Sequence, residues 1–169
     1  MIKVGDSLPA ATLFEYIDEP SEGCSIGPAP VSVSDAAAGK TIVLFAVPGA
    51  FTPTCSAQHL PGYIELADDL RGVGVDEIWC VSVNDAFVMG AWGRASGAAG
   101  KVRMLADGSA ELTKALGLEL DLTAKGLGLR SQRYSALVVN GVVRQLNLEG
   151  GGGYAVSDAQ TLLKQVQAA

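Results

Sequence analysis

The sequence predicts an α/β protein with a central mixed sheet flanked by helices. Short apolar runs bounded by turn residues alternate with segments of helical spacing, which favours parallel strands joined by right-handed crossovers. Near the C-terminal end, Asn140-Gly141 separates two apolar runs, a strong signal for a hairpin that adds an antiparallel pair. At 169 residues, we expect the chain to form one domain, residues 1–169.

The N-terminal segment is rich in proline and glycine and predicts a loop-rich stretch that wraps around the fold. Residues 13–16 predict one short strand within it. Residues 31–34 read VSVS, and this alternation predicts a short edge strand. Residues 35–40 are small and predict a connection to the first central strand.

The chain is organised around residues 43–63, VLFAVPGAFTPTCSAQHLPGY. Residues 43–47 form a continuous apolar run, typical of a buried strand, and the proline and glycine after them end it. Thr54 is predicted to cap the helix that follows, which puts Cys55 in the first helical turn. Unpaired backbone N–H groups and the helix dipole favour a thiolate there. Because open α/β sheets build their sites at such junctions, Cys55 is the candidate nucleophile.

The helix of Cys55 is expected to run to about residue 72, with a kink at Pro61-Gly62. The expected elements after it are a strand at 78–83, a helix begun by Asn84-Asp85, a strand at 102–105, a helix around 112–116, a strand at 134–139, its hairpin partner at 142–148 and a helix begun by Ser157-Asp158. Residues 117–133, with Gly117, Gly126 and Gly128, predict a loop of mixed character. This order is that of a thioredoxin-like fold with an N-terminal extension and an insertion at 84–116.

Composition excludes several classes of function. The formal net charge is −6 and the basic residues are scattered singly, which argues against a nucleic-acid partner. No apolar run approaches the length of a membrane span, so we expect no membrane partner. The first ten residues have neither the apolar core of a signal peptide nor an arginine-rich transit character. We therefore expect a cytoplasmic protein.

The three cysteines are Cys24, Cys55 and Cys80. Their odd number, the lack of a CxxC pair and the lack of Cys/His ligand spacing argue against a disulfide framework and a structural zinc site. Cys24 lies in a polar, turn-like stretch and is interpreted as an incidental surface thiol. Cys80 lies in the strand pattern IWCVSV, where a buried core thiol and a second reactive thiol both remain open.

The spacing Pro48-x-x-x-Thr52-x-x-Cys55 resembles the active-site signature of the peroxiredoxins. The longer run VPGAFTPTCSAQHLPGY is similar to the type II, or peroxiredoxin-5, group. Residues 81–92 (VSVNDAFVMGAW) and 130–143 (RSQRYSALVVNGVV) extend the resemblance to nearly the whole chain. It implies thiol-dependent reduction of hydrogen peroxide and alkyl hydroperoxides, with no metal and no organic cofactor.

Carried over position by position, the resemblance makes Cys55 the peroxidatic cysteine. Thr52 is then the hydroxyl that orients the peroxide and contacts the thiolate, and Pro48 shields the pocket. Arg133, just before the predicted strand at 134–139, matches the active-site arginine. Arginine suits that place because it is always charged and holds its donors in a rigid fork.

Three further residues are considered for the same pocket. Arg130 is the second choice for the active-site arginine, and Phe51 is consistent with alkyl groups near the pocket. His59 follows Cys55 by four residues, so a Cys-His protease pair is conceivable from residue types. No third orienting group is identifiable, and a packing or hydrogen-bonding His59 that supports the active-site helix is favoured.

The resemblance leaves recycling of the oxidised cysteine open. The glycine-rich loop GGGGYAVSDA has no cysteine, which excludes a resolving cysteine there. Cys80 follows Cys55 by 25 residues, a spacing similar to that of plant-like type II members, and is the candidate resolving cysteine. A disulfide would need Cα atoms roughly 4.4–6.8 Å apart, so the Cys55 helix would have to unfold locally. Cys24 is a weaker candidate; otherwise glutathione with glutaredoxin, or thioredoxin, is the reductant.

The resemblance also implies a homodimer with its interface beside the active site. Phe51, Phe87, Met89 and Trp92 are either an apolar rim or core residues. Two other classes of function compete. A disulfide exchange protein would need a CxxC-type pair, but Gln58 stands three residues after Cys55. In a non-catalytic holdase, Cys55 would only pack.

Overall fold

A seven-stranded mixed sheet forms the centre of the structure, a computed structural model that describes residues 1–18, 26–150 and 153–169. Its strands and those of a separate hairpin are β1 (Thr12–Ile17), β2 (Gly27–Ser32), β3 (Thr41–Val47), β4 (Glu77–Ser82), β5 (Arg103–Ala106), β6 (Glu119–Leu122), β7 (Gly128–Ser131), β8 (Tyr134–Val139) and β9 (Val142–Leu148). The helices are α1 (Val33–Ala37), α2 (Leu60–Glu65), α3 (Ala67–Gly72), α4 (Ala86–Ser96), α5 (Glu111–Leu116) and α6 (Ala159–Ala168). A π-helical turn, Cys55–His59, precedes α2, and a 3₁₀ turn, Thr123–Lys125, joins β6 to β7.

The strand order is β2-β1-β5-β4-β3-β8-β9. The strands β3, β4 and β5 pair in parallel, and every other neighbouring pair of the sheet is antiparallel. The predicted α/β, thioredoxin-like architecture is therefore confirmed, including the N-terminal extension, whose strands β1 and β2 extend one edge. Residues 117–133, predicted as a loop, instead contain the antiparallel hairpin β6–β7.

Strand β3 is buried on both faces, which explains its unbroken apolar run. Phe45 and its neighbours on one face pack in a cluster with residues of α2, α3, α4 and α6. Leu44 and its neighbours on the other face pack with residues of α1 and α5. The carboxyl end of β3 is therefore held in position by helices packed on both faces of the sheet.

The predicted hairpin at Asn140-Gly141 is confirmed. Asn140 has φ 48° and Gly141 has φ 77°, and positive φ at both central residues is what a type I′ turn requires. The turn joins β8 to β9, and β8 then pairs antiparallel with β3. This pairing brings the start of β8 to the end of β3.

An edge strand is present as predicted, but its predicted bounds, residues 31–34, are wrong, because the strand ends at Ser32. The edge strand is β2, and α1 begins directly after it because Ser32 Oγ accepts a hydrogen bond from Asp35 N–H at 3.4 Å. Pro28 and Pro30 are tolerated in β2 because it is an edge strand with one unpaired side. The prediction for Cys24 lies outside the described residues.

The predicted kink at Pro61-Gly62 is also wrong. The proline sits in the first turn of α2, and the helical path breaks at Leu66, which has φ −94° and ψ 9°. Just before the proline, Leu60 N–H bonds to Cys55 O, five residues back. Pro61, which has no N–H to donate, therefore lies where the hydrogen-bond pattern changes from π-helical to α-helical. A proline at this position destabilises the helix little.

In the described ranges, none of the helices has the length and apolar character needed to cross a bilayer.

Candidate active site

The loop after β3 leads directly into the helix of Cys55. Thr54 is already helical, with φ −66° and ψ −39°, and makes no side-chain cap. The first helical hydrogen bond runs from Ser56 N–H to Thr52 O at 2.9 Å, and Pro53 occupies the first helical position. The cap predicted at Thr54 is therefore wrong, because proline's fixed φ starts the helix earlier. The prediction that Cys55 lies in the first turn is confirmed.

Arg133 reaches the sulfur of Cys55. Its Nη2 donates to Cys55 Sγ at 3.2 Å, while Nη1 lies 2.9 Å from His59 Nδ1. The side chain is only 7% exposed. Arg133 precedes β8, and the pairing of Tyr134 with Ala46 places it beside the end of β3. The structure thus brings together Cys55 and the first-choice arginine.

His59 is held in one tautomer by its two partners. Its Nε2 lies 3.0 Å from Ser157 O, a carbonyl that only accepts, so Nε2 carries the proton. Its Nδ1 then accepts from Arg133, which is always protonated. Burial and, second, the positive charge of Arg133 lower the pKa of His59 from 6.5 to about 3. Neither ring nitrogen is free to deprotonate Cys55, which argues against a Cys-His protease pair.

Thr52 and Asn84 fix the loop between β3 and the helix. Thr52 Oγ1 donates to Gly49 O at 2.7 Å, so its proton is committed to the loop and not to the thiolate. Asn84, which follows β4, accepts from Ala50 N–H at 3.0 Å through Oδ1. The same oxygen accepts from the hydroxyl of Ser82 at 2.6 Å. Sequence reasoning placed Asn84 only at the start of a helix and missed this role.

Arg130 braces the same loop without contacting Cys55. Its Nη1 donates to Pro48 O at 3.3 Å, and its Nε donates to Leu127 O at 2.8 Å. A Cβ atom on Gly49 would lie 2.7 Å from this Nη1, so the guanidinium approaches the loop closely because residue 49 is glycine. Of the two candidate arginines, only Arg133 touches the sulfur.

Of the four residues of the predicted apolar rim, two lie in the core and two lie on the surface. Met89 and Trp92 are buried, whereas Phe51 and Phe87 are 54% and 61% exposed. The Phe51 ring centroid lies 6.4 Å from that of Trp92. Phe51 has φ 63°, a backbone conformation that non-glycine residues rarely adopt. Phe51 therefore projects from the surface next to the Cys55 helix.

Cys80 lies in the middle of β4 and is fully buried. It shares an apolar cluster with Cys55, and both are free cysteines. Burial and, second, the nearby Cys55 raise the pKa of the Cys80 thiol well above its ordinary value. At neutral pH it is therefore a protonated core thiol. The weaker candidate, Cys24, lies outside the described residues.

With the site in place, comparison with known proteins decides the family. Residues 3–163 match the Redoxin family model. Peroxiredoxin-2E-2, chloroplastic, from Oryza sativa subsp. japonica is 55% identical over 166 residues, which cover 96% of this chain and 72% of the relative. This chain belongs to the type II peroxiredoxins. It is a thiol-dependent peroxidase, as the signature around Cys55 implied.

Solved structures give the same fold. The reduced Prx3 of Vibrio vulnificus in complex with H₂O₂ is 54% identical, with a TM-score of 0.91 and coverage of 98% of this chain and 99% of that one. A Burkholderia cenocepacia protein provisionally described as a thioredoxin reductase is 62% identical, with a TM-score of 0.95 and coverage of 97% of both chains.

Sequence reasoning missed Glu149 and the part it plays behind the site. It follows β9, is 5% exposed, and accepts hydrogen bonds from the segment that carries Ser157. Ser157 was predicted to begin the last helix with Asp158, but only Asp158 caps α6, accepting from Thr161 N–H. No local sequence pattern marks Glu149, because its partners follow a glycine-rich stretch and its strand, VVRQLNL, mixes apolar and polar residues.

Proposed function

We propose that this peroxiredoxin reduces hydrogen peroxide and alkyl hydroperoxides at Cys55, and that an external thiol recycles it. The observation that carries the proposal is the position of Arg133. One donor of its guanidinium contacts the sulfur, and Nε is the single buried side-chain nitrogen or oxygen without a partner in the described part of the chain. Because buried donors are rarely left unpaired, a peroxide oxygen is a fitting partner for Nε.

The reaction is a displacement on oxygen. The Cys55 thiolate attacks the hydroxyl oxygen of the peroxide, an S–O bond forms and the O–O bond breaks. The leaving oxygen carries away the electron pair and takes a proton from water, giving an alcohol, or water from hydrogen peroxide. Cys55 becomes a sulfenic acid. The fixed Arg133 donors stabilise the charge that develops on oxygen.

Thr52 and Pro48 have supporting roles in this proposal. Because Thr52 Oγ1 donates its own hydrogen to Gly49 O, its lone pairs remain to accept the O–H of a peroxide. Thr52 thus orients the substrate, whereas the contact with the thiolate is supplied by Arg133. Pro48 is half-buried at the start of the loop and is assigned the role of shielding the pocket.

The reductant is proposed to be glutathione with glutaredoxin, or thioredoxin. A first thiol condenses with the sulfenic acid, releasing water and forming a mixed disulfide. A second thiol displaces Cys55 as thiolate, so two thiols together are oxidised to one disulfide. Cys80 lies within β4, paired with β3 on one side and β5 on the other, and its thiol has a raised pKa; both features disfavour it as an internal resolving cysteine.

Intact mass after one equivalent of hydrogen peroxide tests both parts. We expect the reduced wild type and Cys80→Ser to gain one oxygen atom, and Cys55→Ser to gain none. A wild-type product lighter by two hydrogens that disappears in Cys80→Ser would contradict the external-thiol proposal. Oxidation of wild type no faster than that of free cysteine would contradict the peroxidase itself. Peroxide turnover measured with glutathione plus glutaredoxin, and separately with thioredoxin, then identifies the class of reductant that recycles the enzyme.

The homodimer also belongs to the proposal. Phe51, next to the Cys55 helix, and Phe87, in the first turn of α4, are exposed aromatic side chains, and a second copy of the chain is the occupant that the family likeness suggests. We expect Phe87→Ser to weaken association in sedimentation velocity, whereas Val73→Ser, at the end of α3, leaves it unchanged. Equal sedimentation of the two variants would contradict this interface.

Disulfide exchange is the second candidate, because the Burkholderia cenocepacia neighbour is provisionally described as a thioredoxin reductase, a class of enzyme that acts on disulfides. Exposed Gln58 occupies the position where a CxxC pair needs its second cysteine. We therefore expect no reduction of insulin disulfides in the absence of peroxide. The cytoplasmic location stays a prediction, and chloroplastic proteins are among the relatives.

A further inference from the structure

The buried carboxylate of Glu149 is satisfied entirely by uncharged donors. It accepts from the backbone N–H groups of Ala155 and Val156, each at 2.9 Å, and from the Ser157 N–H at 2.8 Å. The Ser157 hydroxyl adds a bond of 2.6 Å. Burial raises the pKa of Glu149, but the bonds from Ser157 and the backbone outweigh it and leave the pKa below its ordinary value. The carboxylate is thus charged and holds one segment.

The held segment presents a carbonyl to the active site. Ser157 O accepts from His59 Nε2 at 3.0 Å and from the Tyr63 hydroxyl at 2.8 Å. The Tyr154 ring lies edge-on to His59, with centroids 5.1 Å apart. His59 is therefore fixed by the segment through a hydrogen bond and through an aromatic contact.

Glu149 also holds Arg133 through the backbone. Its N–H donates to Arg133 O at 3.0 Å, so one residue is bonded to the arginine and, through its side chain, to the segment that orients His59. His59 Nδ1 in turn accepts from Arg133 Nη1. Two routes from Glu149 converge on the guanidinium that touches Cys55.

We propose that Glu149 is a positioning residue for peroxide reduction: by fixing the Ser157 carbonyl, it locks His59 in the tautomer that accepts from Arg133 and so aims Arg133 at Cys55. This inference rests on the proposed function of Cys55 and Arg133. Glu149 touches neither sulfur nor substrate and acts only through its neighbours.

The physical reason lies in the donors that meet at His59. If Ser157 O shifts, the proton on Nε2 loses its acceptor, and the alternative tautomer with the proton on Nδ1 becomes accessible. That proton would face the N–H of Arg133, donor against donor. The arginine would then lose its fixed partner and its orientation toward Cys55.

Glu149→Gln tests the proposal, because glutamine keeps the size but removes the charge and one acceptor oxygen. Glu119→Gln, at an exposed site on β6, is the matched control. His59 is the single histidine of the sequence, so its two ring nitrogens are identified without ambiguity by ¹⁵N NMR. The second readout is the rate constant for Cys55 oxidation by hydrogen peroxide.

We expect wild type and Glu119→Gln to show only the Nε2–H tautomer at pH 7. Glu149→Gln should show a mixture of tautomers and a rate roughly tenfold lower, comparable to other losses of an orienting partner. If Glu149→Gln fails to fold, Ser157→Ala removes only the hydroxyl donor and should give smaller changes in the same direction. A wild-type tautomer in the folded variant overturns the proposal. The tautomer readout remains decisive if wild type proves unreactive with peroxide, an outcome that overturns the proposed function instead.

Discussion

Arg133 Nη2 donates to Cys55 Sγ over 3.2 Å, although the two residues are 78 positions apart in the sequence. The antiparallel pairing of β3 and β8 makes this contact, because it places the start of β8 at the end of β3. The other terminal nitrogen of Arg133 is engaged by His59 at 2.9 Å. The planar guanidinium therefore donates hydrogen bonds to a sulfur and to an imidazole at the same time, and both bonds fix its orientation.

We expect Arg133→Lys to lower the rate of Cys55 oxidation by hydrogen peroxide by about 100-fold, the usual effect of losing one fixed donor to a developing oxyanion. A lysine ammonium is a point charge on a flexible stem and cannot hold the same fork. Rapid-mixing kinetics under excess peroxide measures the rate. Arg130→Lys is the control and should stay within a few-fold of wild type. Equal losses in the two variants would refute the assignment of Arg133.

The two buried cysteines should differ sharply in alkylation. At pH 6, we expect iodoacetamide to modify Cys55, whose sulfur accepts a hydrogen bond from Arg133, and to leave Cys80 unmodified, because burial and the nearby Cys55 raise the pKa of the Cys80 thiol. Peptide mass spectrometry measures both sites in one sample, and unfolding in urea should make the two rates similar. Slow modification of Cys55 in the folded protein would instead favour a packing role and a holdase.

Acid should destabilise the fold through His59. Its pKa is about 3 in the fold and 6.5 ordinarily, so between these values the unfolded chain binds a proton that the fold does not. The free energy of unfolding should therefore be fully retained above pH 6.5 and fall by about 1.4 kcal/mol per pH unit below it from this residue alone.

His59→Asn isolates this contribution, because asparagine does not titrate and keeps an acceptor for Arg133. Glu77 and Glu149 also have lowered pKa values, so their protonation in acid also lowers the free energy of unfolding. This contribution is present in both wild type and His59→Asn. Urea unfolding at pH 7, 5 and 4 measures the difference. Parallel pH profiles for wild type and His59→Asn would show that the imidazole is not the group responsible.

Gly90 allows α4 to approach β1. A Cβ atom there would lie 2.9 Å from Tyr16 Cβ, which cannot rotate away because it is the first atom of its side chain. We expect Gly90→Ala to lower the free energy of unfolding by about 1–2 kcal/mol, since overpacking outweighs the gain in helix propensity. Gly72→Ala, in α3, meets no described atom within 4 Å and should be neutral or slightly stabilising. Chemical denaturation of both variants provides the comparison.

The features predicted correctly from sequence are those with local causes. The apolar run of residues 43–47 and the Asn140-Gly141 turn define their elements through nearby burial and turn chemistry alone. The cap at Thr54 failed because a proline one residue earlier was equally able to start the helix. Glu149 was missed because its importance depends on Ser157 reaching His59, 98 positions away, and no local pattern encodes that contact.

Trp92 gives the enzyme an optical reporter of its own chemistry. Its indole N–H donates to the hydroxyl of Ser56 at 3.0 Å, next to Cys55, whereas Trp79 lies in the cluster on the opposite face of the sheet. Oxidation of the cysteine should therefore change the emission of one tryptophan and leave the other as a constant internal reference. Trp79→Phe should keep the peroxide-dependent fluorescence change, and Trp92→Phe should abolish it. A single cuvette can then follow each turnover without any added dye.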